Sequence, residues 1–290
     1  MLDRIDNSPD QLLACISNND LTRLRGMLDR GVDVNSNHGA ALRKASASGF
    51  DLAVSMLLGN GANVYQNPKA PDRKVDYLSP LEAAAENGHL SVVDALLGSQ
   101  QHSAEDLTDA LVRACAAGKL DVAIRLHRAG ADRINEGSPI AWAAAGGHQK
   151  VVSWLLADQA QTPEMVEFAL ASAARNNQQD VLSILLLHGI EASADNSLAL
   201  RLAAQNNSLE CAALLMTWGA DPHHAAGGAP TGPSGQSAVD TAARTNNVQL
   251  AEMIKAHLMY ERILMAQRIP ETLTMTRRHA AERSARMVVS

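Results

Sequence analysis

The feature that most limits what this chain can fold into is a turn residue that returns at nearly constant intervals. Asn19, Gly49, Gly88, Gly118, Gly147, Asn177, Asn207 and Asn246 occupy equivalent positions, separated by 30, 39, 30, 29, 30, 30 and 39 residues. A fixed period of this size signals a repeat architecture rather than a single globule. Gly and Asn share a tolerance for the left-handed backbone that commonly ends a helix. Each marker is therefore expected to end one helix and start an antiparallel one. Before the markers lie short runs of small residues, such as Leu81-Glu82-Ala83-Ala84-Ala85, Ile140-Ala141-Trp142-Ala143-Ala144 and Leu200-Arg201-Leu202-Ala203-Ala204. After them come runs with apolar residues at helical spacing, as in Leu90, Val92, Val93, Leu96 and Leu97 or Val181, Leu182, Ile184, Leu185 and Leu186. Such a second helix is too apolar to stand alone, so stability must come from stacking on neighbours.

Composition agrees. Aromatic residues make up 3% of the 290 residues, too few for the large-ring core of a compact globule of this length but enough for small stacked helices. Helix starts are legible: Ser8-Pro9-Asp10-Gln11 and Ser79-Pro80-Leu81-Glu82 combine an N-cap Ser, a Pro at the first position and an N3 Gln or Glu. Thr162-Pro163 and Ser138-Pro139 repeat the first two elements. Second helices end in stops such as Arg30-Gly31, Asn60-Gly61, Ala129-Gly130 and Trp218-Gly219.

The segment Glu86-Asn87-Gly88-His89-Leu90-Ser91-Val92-Val93-Asp94-Ala95-Leu96-Leu97, the Gly-Ala-Asp and Gly-Ala-Asn stops, and Gly146-Gly147-His148 before Val151-Val152 resemble the ankyrin repeat. The resemblance covers about residues 8 to 257 and implies an all-α helical repeat solenoid of about eight helix pairs. The period is shortened, and the family's Thr-Pro-Leu-His start survives only as Ser79-Pro80-Leu81-Glu82 and Ser138-Pro139-Ile140-Ala141. The expected organisation is a repeat array over 1–257 followed by a capping helix and Arg-rich tail over 258–290. Met253, Leu258 and Met259 are expected to cover the end of the stack. Most connections look too short for a projecting hairpin. The two long ones, Tyr65 to Asp76 and Pro222 to Gln236, are expected to project.

The formal charge of −6 divides into −9 on the body and an excess of three positive charges over residues 261–290, from six Arg and three Glu. Neither value names nucleic acid or a membrane as partner. Cys15, Cys115 and Cys211 stand far apart, without the close pairs of zinc sites or disulfide frameworks, and read as buried thiols in a reducing compartment. Met1 to Asp10 hold Asp3, Arg4 and Asp6 and no apolar run, so no secretory signal of the usual kind is expected.

Catalytic, metal and cofactor chemistry finds no support. The sequence has no nucleophile elbow and no phosphate-binding Gly-rich loop. His223-His224 has only Asp221 near it. Glu105-Asp106-Asp109 and Glu164-Glu167 fall in first turns, where the helix dipole favours negative charge. His89 and His148 are expected to make structural hydrogen bonds.

The expected function is therefore a non-enzymatic, cytoplasmic scaffold that binds a partner protein, with no catalytic residue, metal, cofactor or small-molecule substrate. The resemblance implies a partner lying on the concave face, against first-helix residues just before each turn. Carried over, these are Ser48, Glu86, Asn87, Arg175, Asn176, Gln205, Asn206, Arg244 and Thr245, with polar groups concentrated toward the C-terminal repeats. Tyr65, Arg73 and Tyr77 in the first long connection offer aromatic and Arg anchors, and Pro68 and Pro71 limit its freedom. Two other readings stand beside this one. Irregular repeats and 19 Arg against 6 Lys raise a bacterial effector acting on a host protein, which would imply secretion. The Arg-rich tail raises nucleic acid or an acidic partner.

Overall fold

The computed structural model describes residues 8–64, 78–100, 102–134, 138–157, 161–224 and 236–263, with side chains 194–196 excepted. These residues form helices and turns, with no strand among them. Tyr65, Arg73, Tyr77, most of the second long connection and the tail from 264 onward lie outside the described residues.

Eight helix pairs follow one another among the described residues. They are α1 (Pro9–Ser17) with α2 (Leu21–Leu28), α3 (Ser36–Ser48) with α4 (Asp51–Gly59), α5 (Pro80–Asn87) with α6 (Leu90–Ser99), and α7 (Ala104–Ala116) with α8 (Leu120–Arg128). Then come α9 (Pro139–Ala145) with α10 (Gln149–Leu156), α11 (Pro163–Arg175) with α12 (Gln179–Leu187), α13 (Ala194–Gln205) with α14 (Leu209–Thr217), and α15 (Ala238–Arg244). The last is paired with α16, helical from 248 through 263. The chain divides into two compact units, Met1–His188 and Gly189–Ser290.

In the first unit the helices form two layers. First helices pack in the order α1, α3, α5, α7, α9, α11, and each packs on its own second helix. All eight markers, in both units, adopt positive φ, from 50° upward: Asn19 51°, Asn177 55°, Asn207 58° and Asn246 51°, with the four glycines between 71° and 80°. Three and four residues before the marker lie two small side chains, such as Ala84-Ala85, Ala114-Cys115, Ala143-Ala144 and Ala173-Ala174, all fully buried. Small side chains there let adjacent first helices approach closely. Eight residues after the marker lies one large apolar side chain: Met27, Leu57, Leu96, Leu126, Leu155, Leu185, Leu215 and Ile254, every one buried. One register thus accounts for both layers in each unit.

The caps follow the sequence with one exception. Ser8 and Thr162 accept from the backbone N–H three residues on, and Ser79 forms a full capping box with Glu82. Ser103 and Ser237 form capping boxes with Asp106 and Asp240. Ser138 does not cap α9: its backbone is left-handed at φ 45°, which turns its buried hydroxyl away from the helix N–H groups. The backbone also kinks within α3, where Asn37, His38 and Gly39 are left-handed. In the second unit α13 packs on α14 and α15, and Leu250 and Ile254 of α16 are buried. Leu258 is half-buried and Met259 is 65% exposed. Burial on the described part of α16 therefore falls off after Ile254.

Candidate interaction surface

At three markers the next residue ties one repeat to the one before. The His89 Nε2–H donates to the Ala47 carbonyl at 3.1 Å and the His148 Nε2–H to the Ala116 carbonyl at 2.8 Å, because a carbonyl can only accept. Gln178 makes the same bond to Ala145 at 3.4 Å. Each acceptor lies two residues before the preceding marker. The rings and amide pass directly over the preceding glycine: a Cβ on Gly49, Gly118 or Gly147 would collide with His89, His148 or Gln178. Space as well as φ favours glycine there. On the second-helix side, Ser91 donates to Asp51 at 2.7 Å, Arg125 pairs with Asp94 at 2.5 Å, and Gln149 donates to Asp180 at 2.7 Å. These polar links join neighbouring second helices.

The first-helix layer is left open. α9 is covered by α7, α11 and α10, and its remaining side carries Trp142, 56% exposed. On α11, Phe168 is 57% exposed. Counting back from Gly147 and Asn177, Trp142 is at −5 and Phe168 at −9, one helical turn apart on neighbouring helices. At −2 and −1 stand the residues singled out from the sequence. In the first unit Glu86 is half-buried, and Asn87, Arg175 and Asn176 are exposed. In the second, Gln205 is half-buried, and Asn206 and Arg244 are exposed.

Three of these share a local role. The amides of Asn87, Asn176 and Asn206 donate to Ala83, Ser172 and Leu202, each four residues back, at 2.9, 2.8 and 2.9 Å. They close the last turn of their helices while their exposed side chains keep the amide oxygen available as an acceptor. The Arg244 Nε–H donates to Gln236 at 2.8 Å. Phe168 is the residue that sequence reading missed. Its register position carried the signal, since −9 and −5 lie on one stripe of the first helix.

The remaining candidate chemistry resolves into packing. Trp154 is half-buried between His127, edge-on at 5.9 Å, and Arg133, whose guanidinium lies 5.2 Å above the ring. Asp221 accepts from the backbone N–H of His223 at 2.9 Å. Among the described residues, no group of three or more His, Cys, Asp or Glu is placed to hold a metal ion, and no helix is long and apolar enough to cross a membrane. All three cysteines are buried and free.

Burial pushes the thiols of Cys115 and Cys211 up to about 12, with the Glu210 carboxylate adding to the effect at Cys211. They stay protonated in the native chain at pH 8, so a thiol-directed disulfide reagent is expected to label them only after denaturant is added. Rapid native labelling would contradict their burial. The folded state binds these protons more tightly than the unfolded chain. This contribution to stability is therefore complete below the ordinary thiol value and is lost as pH rises through about 12.

Residues 81–165 match the family model described as ankyrin repeats in three copies. That span contains Gly88, Gly118 and Gly147 and both marker-following histidines. Among solved structures, the crystal structure of the human ASB11 ankyrin repeat domain is similar, with a TM-score of 0.59 and 25% identity. The alignment covers 74% of this chain and 96% of that one. No curated protein matches the sequence significantly. Residues 81–165 thus carry ankyrin repeats, and the all-helical fold is similar to that of an ankyrin repeat domain, a fold that generally serves as a protein–protein interaction module and typically carries no enzymatic activity.

Proposed function

We propose that this chain is a protein-binding scaffold whose partner lies against the open side of its first helices. The observation that carries the reading is the pair of exposed rings on neighbouring first helices of the first unit. Trp142 and Phe168 stand exposed there with Asn87 and Asn176. The large apolar side chains exposed on its second helices are Leu52, Leu90 and Leu187, none of them aromatic. Exposed aromatic rings among polar groups with unused acceptor capacity are the composition of binding hot spots and their rims. Arg175, together with Gln205, Asn206 and Arg244 in the second unit, supplies further polar groups at the same repeat position. Tyr65, Arg73 and Tyr77 remain candidate contacts from the first long connection.

The test is affinity capture with the intact chain and identification of bound proteins by mass spectrometry. It is run beside a variant carrying Asn87→Ala, Arg175→Ala and Asn176→Ala, and one carrying Ser153→Ala and Lys150→Ala on the second-helix side. The partner is expected to be lost from the first variant and kept by the second. The reverse pattern, or retention by both, would overturn the reading. Binding that collapses steeply as salt rises would instead favour a polyanion.

A further inference from the structure

The register lays the open face of the first unit out as a grid, with α7, α9 and α11 as columns. At −5 stand Arg113, Trp142 and Ser172. At −9 stand Asp109, Ser138 and Phe168. One turn further toward the helix starts, at −13, α7 carries Glu105 and α11 carries Glu164, both exposed. Rows four residues apart are about 6 Å apart along a helix, and adjacent helices are about 8 to 10 Å apart. The two rings thus lie diagonally across the α9–α11 groove, with Glu164 about 6 Å beyond Phe168 along α11, while Glu105 stands on α7, one helix from Trp142 and two from Phe168.

The helix-start end of this patch is acidic, and the cations Arg113 and Arg175 stand toward the helix ends. α9 carries no charged residue from Pro139 to Ala145. Arg113 lies within 3.8 Å of Glu82, so part of its charge is answered on the layer itself. Glu164 accepts from its own backbone N–H and from Thr162, and these bonds hold its carboxyl below the usual range. At the other end of the grid the −2 and −1 positions of α7 and α9 are Ala116-Ala117 and Ala145-Gly146, which leave room beside Trp142.

We propose that this patch takes a basic peptide segment of the partner: an aromatic or aliphatic side chain seats between Trp142 and Phe168, Arg or Lys about one helical turn away meets Glu164, and a second basic residue meets Glu105 on α7. This rests on the first-helix reading above and narrows it to one chemistry. An acidic segment would set like charges against Glu105 and Glu164 and would leave the rings without a cation to stack on them. A guanidinium over an exposed indole is favourable, and Arg133 already makes that contact with Trp154 on this chain.

The experiment is selection of short random peptides displayed on phage against the intact chain, followed by fluorescence anisotropy with the best peptide. Enriched sequences are expected to pair an aromatic or Leu residue with Arg or Lys. Trp142→Ser and Phe168→Ser are each expected to weaken binding about tenfold or more, as loss of a hot-spot ring does. Glu105→Gln with Glu164→Gln is expected to weaken it severalfold and to flatten its salt dependence. Circular dichroism checks folding, which these exposed positions should leave intact. Acidic or uncharged selected peptides, no enrichment, or unchanged affinity in both ring variants would overturn the proposal. If the ring variants bind normally while Asn87→Ala, Arg175→Ala or Asn176→Ala do not, the first-helix reading survives and only the basic-peptide assignment falls. If no face variant matters, both fall.

Discussion

Leu155→Ala and Leu185→Ala are each expected to cost about 2 to 5 kcal/mol of unfolding free energy, the range for truncating a buried Leu. Both side chains sit eight residues after a marker and are buried to within 1%. They lie between the first- and second-helix layers of the first unit, so the cavity each leaves is walled by several helices at once. Because each pair buries its apolar side only on its neighbours, the damage should reach beyond the mutated repeat. Chemical denaturation followed by circular dichroism measures it. Leu187→Ala is the control: the side chain is 75% exposed, and its loss should stay within about 0.5 kcal/mol. If the buried variants melted like the wild type, the register that places them would be wrong.

Gly118→Ala carries the second large effect. The residue is left-handed at φ 71°, where a side chain costs about 1 to 2 kcal/mol. The added Cβ would also enter the space of the His148 imidazole, displacing the ring from Ala116 and forfeiting a hydrogen bond of about 1 kcal/mol. The expected total is about 2 kcal/mol or more. A double-mutant cycle separates the two parts. In a His148→Ala background the ring no longer obstructs, so Gly118→Ala should cost only its backbone share. Strict additivity would show that the imidazole does not pack over this turn.

The same physics explains what was legible in the sequence. Left-handed turns accept few residue types, so Asn19, Gly49, Gly88, Gly118, Gly147, Asn177, Asn207 and Asn246 announce themselves, and each has positive φ. The apolar and small-residue periods between them then fix both layers. Ser138 was not legible, because Ser138-Pro139 and Ser79-Pro80 are the same dipeptide and differ in the backbone of the Ser itself, φ 45° against −62°. The kink at Asn37-His38-Gly39 is equally local, and its left-handed residues fall outside the repeat period. Phe168 sits among Val166, Ala169 and Leu170, all buried, so composition alone assigns it to the core. Only its register position puts it on the open stripe with Ser172. Asn87, Asn176 and Asn206 were legible as polar first-helix residues, but their bonds to the carbonyls four residues back depend on side-chain rotamers that a sequence does not display.

Site-specific photo-crosslinking tests the central claim most directly. A photoreactive amino acid is installed in place of Asn176, on the open side of the first helices, and in a second protein in place of Ser153, exposed on α10 in the second-helix layer. Each is mixed with the captured partner and irradiated. A covalent adduct is expected from position 176 and none from position 153. An adduct from 153 alone would contradict it and move the interaction surface to the second helices.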